Sequence, residues 1–213
     1  MTERTANPAI LPLIRERWSP RSFDASAMPE GDLETILEAA GLAPSAYNVQ
    51  PWTFLYAHRG DANWDRFLSL LVEFNQGWAK DASVLLYVVS DAKMRGDKVS
   101  DNHSHSFDAG AAWQNLALQA WHMGYAAHGM SGVDFDRAAA ELNVPGDHRI
   151  EAAVALGRPA PADRLPDFLK EREVKSNRKP VGEIMLQIRS HTNSSPFPSR
   201  QDSLKRLHRR KGP

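Results

Sequence analysis

Between Leu42 and Trp52 the chain reads Leu-Ala-Pro-Ser-Ala-Tyr-Asn-Val-Gln-Pro-Trp, more hydrogen-bonding chemistry than a connector requires. Pro44 and Pro51 fix φ and remove backbone donors, so the loop is stiff. Between them Ser45, Asn48 and Gln50 offer short polar groups, the set that a ring system bearing both donors and acceptors needs. For any one of them alone, a turn closed by side-chain-to-backbone bonds is the simpler reading. A second group is Arg17, Ser19, Arg21 and Ser22, with Pro20 holding the backbone open. Two guanidiniums and two hydroxyls so close form an oxyanion receptor, because the arginine fork matches phosphate. The plain alternative is a solvated basic turn. A third polar stretch, Ser176-Asn177-Arg178-Lys179-Pro180, stands towards the other terminus.

Several chemistries are missing. No Gly-x-Gly-x-x-Gly follows a strand, and there is no Gly-x4-Gly-Lys phosphate loop. Gly129-Met130-Ser131-Gly132-Val133 approaches a nucleophile elbow, but valine stands where the elbow needs glycine, which rejects a serine hydrolase. His103, His105 and Asp108 could offer ligands, yet their spacing fits no common zinc helix motif and a polar lid explains them better, so no metal is expected. His122 and His128 read as satisfied core or interface residues. The absence of cysteine excludes disulfides, thiolate nucleophiles and cysteine-ligated metals.

These groups must be positioned by elements that the apolar periodicity outlines. A short amphipathic helix is predicted over 9–17, and a longer one from Pro29, where Leu33, Ile36, Leu37 and Ala40 form one stripe that Gly41 and Pro44 stop. Residues 53–58 read as a strand. A helical pattern over 60–76 carries Trp64, Phe67, Leu68 and Leu71, and finishes in a polar break at Phe74-Asn75-Gln76-Gly77-Trp78. Val84 to Val89 is a continuous apolar run, the mark of a strand buried on both faces. Residues 91–107 are predicted to be a loop or mobile lid. Asp108 to Gly124, apolar nearly all round, is predicted to be the central helix, with part of its surface against another subunit. A short strand over 125–129, a helix over 135–142, a strand over 150–156 and a proline-rich connector complete the order. Helices alternating with buried strands make the class α/β or α+β.

Composition bounds the rest. Of 213 residues, 42% are hydrophobic and 24% charged, which is ordinary for a globular chain. The net charge of zero hides a segregation: Pro196 to Pro213 holds six Lys/Arg against Asp202 alone, so the body is net acidic. Nothing in that body points to nucleic acid or a membrane. The N-terminus lacks the apolar core of a signal peptide, and the expected location is cytoplasmic. Residues 189–213 lack periodicity and are expected to be disordered.

Arg-Trp-Ser-Pro-Arg-Ser-Phe, Ala-Pro-Ser-Ala-Tyr-Asn-Val-Gln-Pro-Trp and Ser-Asn-Arg-Lys-Pro, in this order, resemble the nitroreductase family of flavin mononucleotide (FMN) oxidoreductases. The likeness extends to Phe74-Asn75-Gln76, to Gly-Met-Ser-Gly-Val and to Ala153 through Arg158, and covers approximately Ile10 to Met185. It implies a small central mixed sheet flanked by helices, an obligate intertwined homodimer, and a single FMN-binding domain over 9–188. It also implies roles. Arg17 and Ser19 contact the flavin phosphate or ribityl, with Trp18 counted in the same set and Arg178 and Lys179 joining from the far end. Arg21 lies near the pyrimidine edge. Ser45, Asn48 and Gln50 arrive from the partner subunit with Pro44 and Ala46 beside the ring, Asn75 bonds the pyrimidine rim, and the backbone of Ser131 and Gly132 faces the N5 side. One departure stands out: some relatives carry a lysine three residues after the rim asparagine, where this chain has Trp78.

The activity so implied is FMN-dependent NAD(P)H oxidation with ping-pong turnover. Hydride passes to flavin N5 and on to nitroaromatics, quinones or activated alkenes, with no catalytic residue required from the protein. Reductive dehalogenation or oxygen-dependent flavin chemistry are alternatives on the same fold. A non-catalytic flavin-binding protein with a recruiting tail is a third. The phosphate assignment has a direct consequence. Combining Arg17→Ala with Arg178→Ala removes the dianion's charge-assisted partners and should release FMN, which ultrafiltration followed by flavin absorbance would detect.

Overall fold

The computed structural model describes residues 6–185, so the basic segment 189–213 lies outside the described residues. The chain forms two compact units, 1–176 and 177–213. Of the second, the described part holds one 3₁₀ turn, Val181–Glu183, after Pro180. The first unit carries the sheet and its helices.

Its elements run α1 (Pro12–Glu16), α2 (Glu30–Gly41), β1 (Trp52–His58), α3 (Trp64–Ser69), α4 (Glu73–Ala79), β2 (Val84–Asp91), β3 (Lys93–Met94), β4 (Ser100–Asp101), α5 (His105–His122), β5 (Ala126–Met130), α6 (Phe135–Glu141), β6 (His148–Gly157) and α7 (Asp167–Lys170). Four strands form the main sheet in the order β1-β2-β6-β5.

Strand β2 is the sheet's spine. Seven of its eight residues are buried, and period-two alternation splits them between two cores. Leu85, Tyr87 and Val89 join Phe67, Leu70 and Trp78 on one face. Val84, Leu86 and Val88 join Leu33 and Ile36 of α2 and Ala112, Leu116 and Ala120 of α5 on the other. The predicted stripe of α2 is therefore the buried one. The alanines of α5 let it approach the sheet closely, and Gly124, at φ 80°, ends that segment in a conformation costly for any residue with a Cβ. Tyr87, sealed in the first core, donates its hydroxyl to the Phe67 carbonyl at 2.9 Å. Burial pushes its phenol pKa upward.

Three expectations need correction. Every pairing in the main sheet is antiparallel, where a mixed sheet was expected. An apolar run reports burial on both faces, not strand direction. The segment read as a polar break, 74–78, lies within helix α4. The chain leaves α3 at Leu70, pairs Leu71 with Val133 in an isolated bridge, and re-enters a helix at Glu73. Asn75 and Gly77 are poor helix formers, but burial of Trp78 and the hydrogen bonds described below override that preference. Finally, part of the supposed lid is ordered as the β3–β4 hairpin, closed by Lys93 and Asp101 at 2.6 Å, and α5 begins three residues early.

No helix among the described residues is long and apolar enough to cross a membrane. Because Leu86 is fully buried at the centre of its core, Leu86→Ala should cost about 2–5 kcal/mol of stability, readable as a lower urea midpoint at unchanged slope.

Candidate functional site

The oxyanion-receptor turn has almost no regular structure of its own, and side chains from elsewhere hold it. Just past α1, Arg17 Nη1 donates to Ser19 Oγ at 3.2 Å. Trp18 is half-buried and Pro20 buried. The Pro20 carbonyl accepts from His128 Nδ1 of β5 at 2.9 Å. The amides of Arg21 and Ser22 both donate to Glu173 Oε1, at 2.6 and 2.8 Å. Ser22 Oγ donates to the Pro161 carbonyl at 2.7 Å, and Phe23 bridges to Pro159.

The 44–50 loop is built differently. A 3₁₀ turn spans Ala46–Asn48, and Tyr47, Asn48 and Gln50 all take positive φ, at 52°, 55° and 51°. Side chains with a Cβ pay strain there, so the loop must be held by specific bonds. Ser45 Oγ accepts the Gln50 amide at 2.9 Å, and Gln50 Nε2 reaches the Asn48 carbonyl at 3.3 Å. The Ala46 amide donates to Asp108 of α5 at 3.0 Å. Ser45 and Gln50 thus behave as the turn-forming alternative requires, while Pro44, Asn48 and Gln50 remain exposed and Tyr47 projects with 91% of its surface open. Asp108, considered above as a metal ligand, is the loop's anchor. His105 instead bonds Ser90 Oγ at 2.7 Å, so the two do not converge. Acidic side chains do meet His148 at Asp91 and Asp147, but Arg95 already pairs with both carboxylates.

Asn75 and Gly132, 57 positions apart, are in direct contact. The Asn75 amide donates to the Gly132 carbonyl at 3.2 Å, and that carbonyl also accepts the Val72 amide at 3.0 Å. A Cβ at position 132 would lie 2.4 Å from Asn75 Nδ2 and 2.8 Å from Val72 Cγ2, so glycine is required by close approach. Ser131 beside it is exposed. One helical turn beyond Asn75, Trp78 is buried with Phe23 stacked at 6.4 Å and the His128 ring at 4.7 Å. Through Trp78 and His128, then, α4, β5 and the 17–23 turn share one contact cluster. Arg178 and Lys179 belong to the second unit, where Arg178 Nη1 donates to the Asn177 carbonyl at 3.3 Å. Sequence reasoning missed Glu173 altogether. A lone glutamate in a charged stretch carries no local signal of burial.

Over residues 14–76 and 64–158 the chain matches the sequence profile of the nitroreductase family. It belongs to the nitroreductase family. A relative named NADH dehydrogenase from Thermus thermophilus is 31% identical over 185 residues, covering 71% of this chain and 89% of its own length. Among solved structures, an FMN-containing oxidoreductase is 47% identical with a TM-score of 0.85, covering 88% of this chain and 96% of its own. A nitroreductase structure in complex with FMN from Desulfovibrio desulfuricans is 28% identical with a TM-score of 0.67, covering 91% of this chain and all of that one.

In this member of the nitroreductase family, His128 gives the site a pH signature. Burial first, then the cations of Arg21 and Arg17, outweigh its bonds to the turn's carbonyls and hold its pKa down at about 4. Unfolded, the ring titrates near its ordinary value of about 6.5. The folded state therefore binds fewer protons between those values, and stability should fall as pH drops through 6.5, the loss levelling off below 4. In His128→Gln that part of the acid-side loss should vanish, which urea titrations of both proteins across this range would show.

Proposed function

We propose that the chain is an FMN-dependent NAD(P)H oxidoreductase that reduces nitroaromatic, quinone or other electrophilic small molecules in ping-pong turnover, with two copies of the chain forming each site. The observation that carries the reading is the Asn75–Gly132 contact. A planar ring with donors and acceptors on its rim needs an amide and a backbone edge held side by side. Arg17 with Ser19 fits a phosphate, and the three-segment cluster at Trp78 and His128 joins the two ends.

Bound FMN would supply reversible uptake and release of hydride, the redox chemistry itself. The protein's own residues bind and orient. Arg17 and Ser19, with Trp18 beside them, hold the phosphate and ribityl end. Arg21 places a fixed cation at the pyrimidine edge. Asn75 fixes the rim, while the Ser131–Gly132 peptide stands at the reactive edge. From the second copy, the strained, Asp108-anchored loop presents Pro44, Ser45, Ala46, Asn48 and Gln50. Its exposure in the single chain and its rigidity suit a group that reaches into a neighbour. His128 is neutral at physiological pH and committed to Pro20, so it positions rather than transfers protons.

Purified protein reconstituted with FMN should be yellow. Under anaerobic conditions NADH or NADPH should bleach it, and a nitroaromatic or quinone should then restore the colour. Protein that fails to retain FMN, or holds it without bleaching under either donor, would sink the assignment.

A further inference from the structure

The Arg21 and Ser22 amides form a small anion nest: consecutive N–H groups aimed at a single oxygen, the arrangement that elsewhere receives phosphate or carboxylate ligands. Here the nest is filled from within. Glu173, 151 positions beyond Ser22, places Oε1 2.8 Å from the Ser22 amide and 2.6 Å from that of Arg21, and only 4% of its side chain is exposed. Burying a carboxylate is costly unless its oxygens are matched. Oε1 is matched twice, whereas Oε2 accepts no hydrogen bond among the described residues and has Arg21 Nη1 at 3.9 Å. An apolar side chain would seal this spot without that cost, so packing does not account for the residue. Holding the turn does.

Neighbouring bonds point the same way. Ser22 Oγ donates to Pro161, the Ala160 amide donates to Ser22, and Lys175 pairs with Glu16 at 2.6 Å, just before Arg17. The segment 158–175 thus clamps both sides of the turn, and Glu173 supplies the clamp's one anionic contact to the turn's backbone amides.

We propose that Glu173 is a positioning residue of the cofactor site, a built-in anion that occupies the Arg21–Ser22 nest and fixes the turn so that Arg17 and Ser19, rather than the nest amides, meet the FMN phosphate. This rests on the flavin assignment given under Proposed function. A division of labour follows. The nest is spoken for, Arg21 is drawn toward Glu173, and the cofactor's dianion falls to Arg17 and Ser19.

The test uses the full-length chain, with FMN affinity measured by fluorescence quenching and folding by thermal melts of the FMN-free protein. Glu173→Ala should weaken FMN binding by about tenfold or more while the melt stays cooperative, because loss of the turn's geometry, not of a direct contact, is worth at least that factor. Millimolar formate, small enough to enter the vacated nest, should restore part of the affinity in Glu173→Ala and none in wild type. Glu173→Gln retains an acceptor oxygen and should bind FMN within about threefold of wild type, about 0.65 kcal/mol. If Glu173→Ala does not fold, Glu173→Ser, too short to reach the two amides, takes its place: a loss of about tenfold or more that formate partly restores supports the proposal, and wild-type affinity overturns it. A folded Glu173→Ala with wild-type affinity, or a loss that formate leaves untouched, also overturns it. Wild-type chain that takes up no FMN overturns the flavin assignment and this proposal together, whereas wild-type uptake with unchanged Glu173→Ala affinity overturns the proposal alone.

Discussion

The structure depends on one strand that faces apolar side chains on both sides. Because alternate residues of β2 point oppositely, Leu85, Tyr87 and Val89 organise one core and Val84, Leu86 and Val88 the other. That constraint forces helices onto both faces: α2 and α5 cover one, and α3 and α4 the other. With the layers so placed, the loop after β5 arrives beside the start of α4. The Leu71–Val133 bridge and the shared Gly132 carbonyl then lock them at a distance that only a glycine permits. The candidate site is the polar rim of this hydrophobic arrangement.

Charge at that rim is distributed with few loose ends. The 17–22 turn carries two guanidiniums whose charges both act on His128, and the groups holding it are a neutral imidazole on a carbonyl and a carboxylate on two amides. Each holder complements the backbone group that it meets: a donor for C=O, an acceptor for N–H. Trp78 adds bulk and no charge. It stacks on Phe23 and meets the His128 ring at a tilt, and its indole N–H has no hydrogen-bond partner among the described residues. The pyrimidine edge of the proposed site therefore relies on Arg21 for its positive potential, and that cation is itself partly offset by Glu173.

Much of this was readable residue by residue. The stripe of α2, the double burial of β2 and the glycine stop after α5 follow from spacing and from the cost of a positive φ, which are local properties. The same local logic misjudged 74–78. Asn and Gly depress helix propensity by amounts well below those gained when Trp78 is buried and Asn75 finds Gly132, and neither gain is visible within a few residues of sequence. Strand direction was illegible for a related reason: it depends on which path the chain takes between strands, not on what the strands contain.

The sequence by itself determined the fold class and the buried faces of α2 and β2, because periodicity is carried by each segment alone. Only the tertiary structure decided that the sheet is antiparallel, that Asp108 anchors the 44–50 loop, that Gly132 must lack a side chain, and that Glu173 fills the nest of the Arg21 and Ser22 amides. Each of those facts is a meeting between groups far apart in the chain, and proximity of that kind is set by the packing of the whole core.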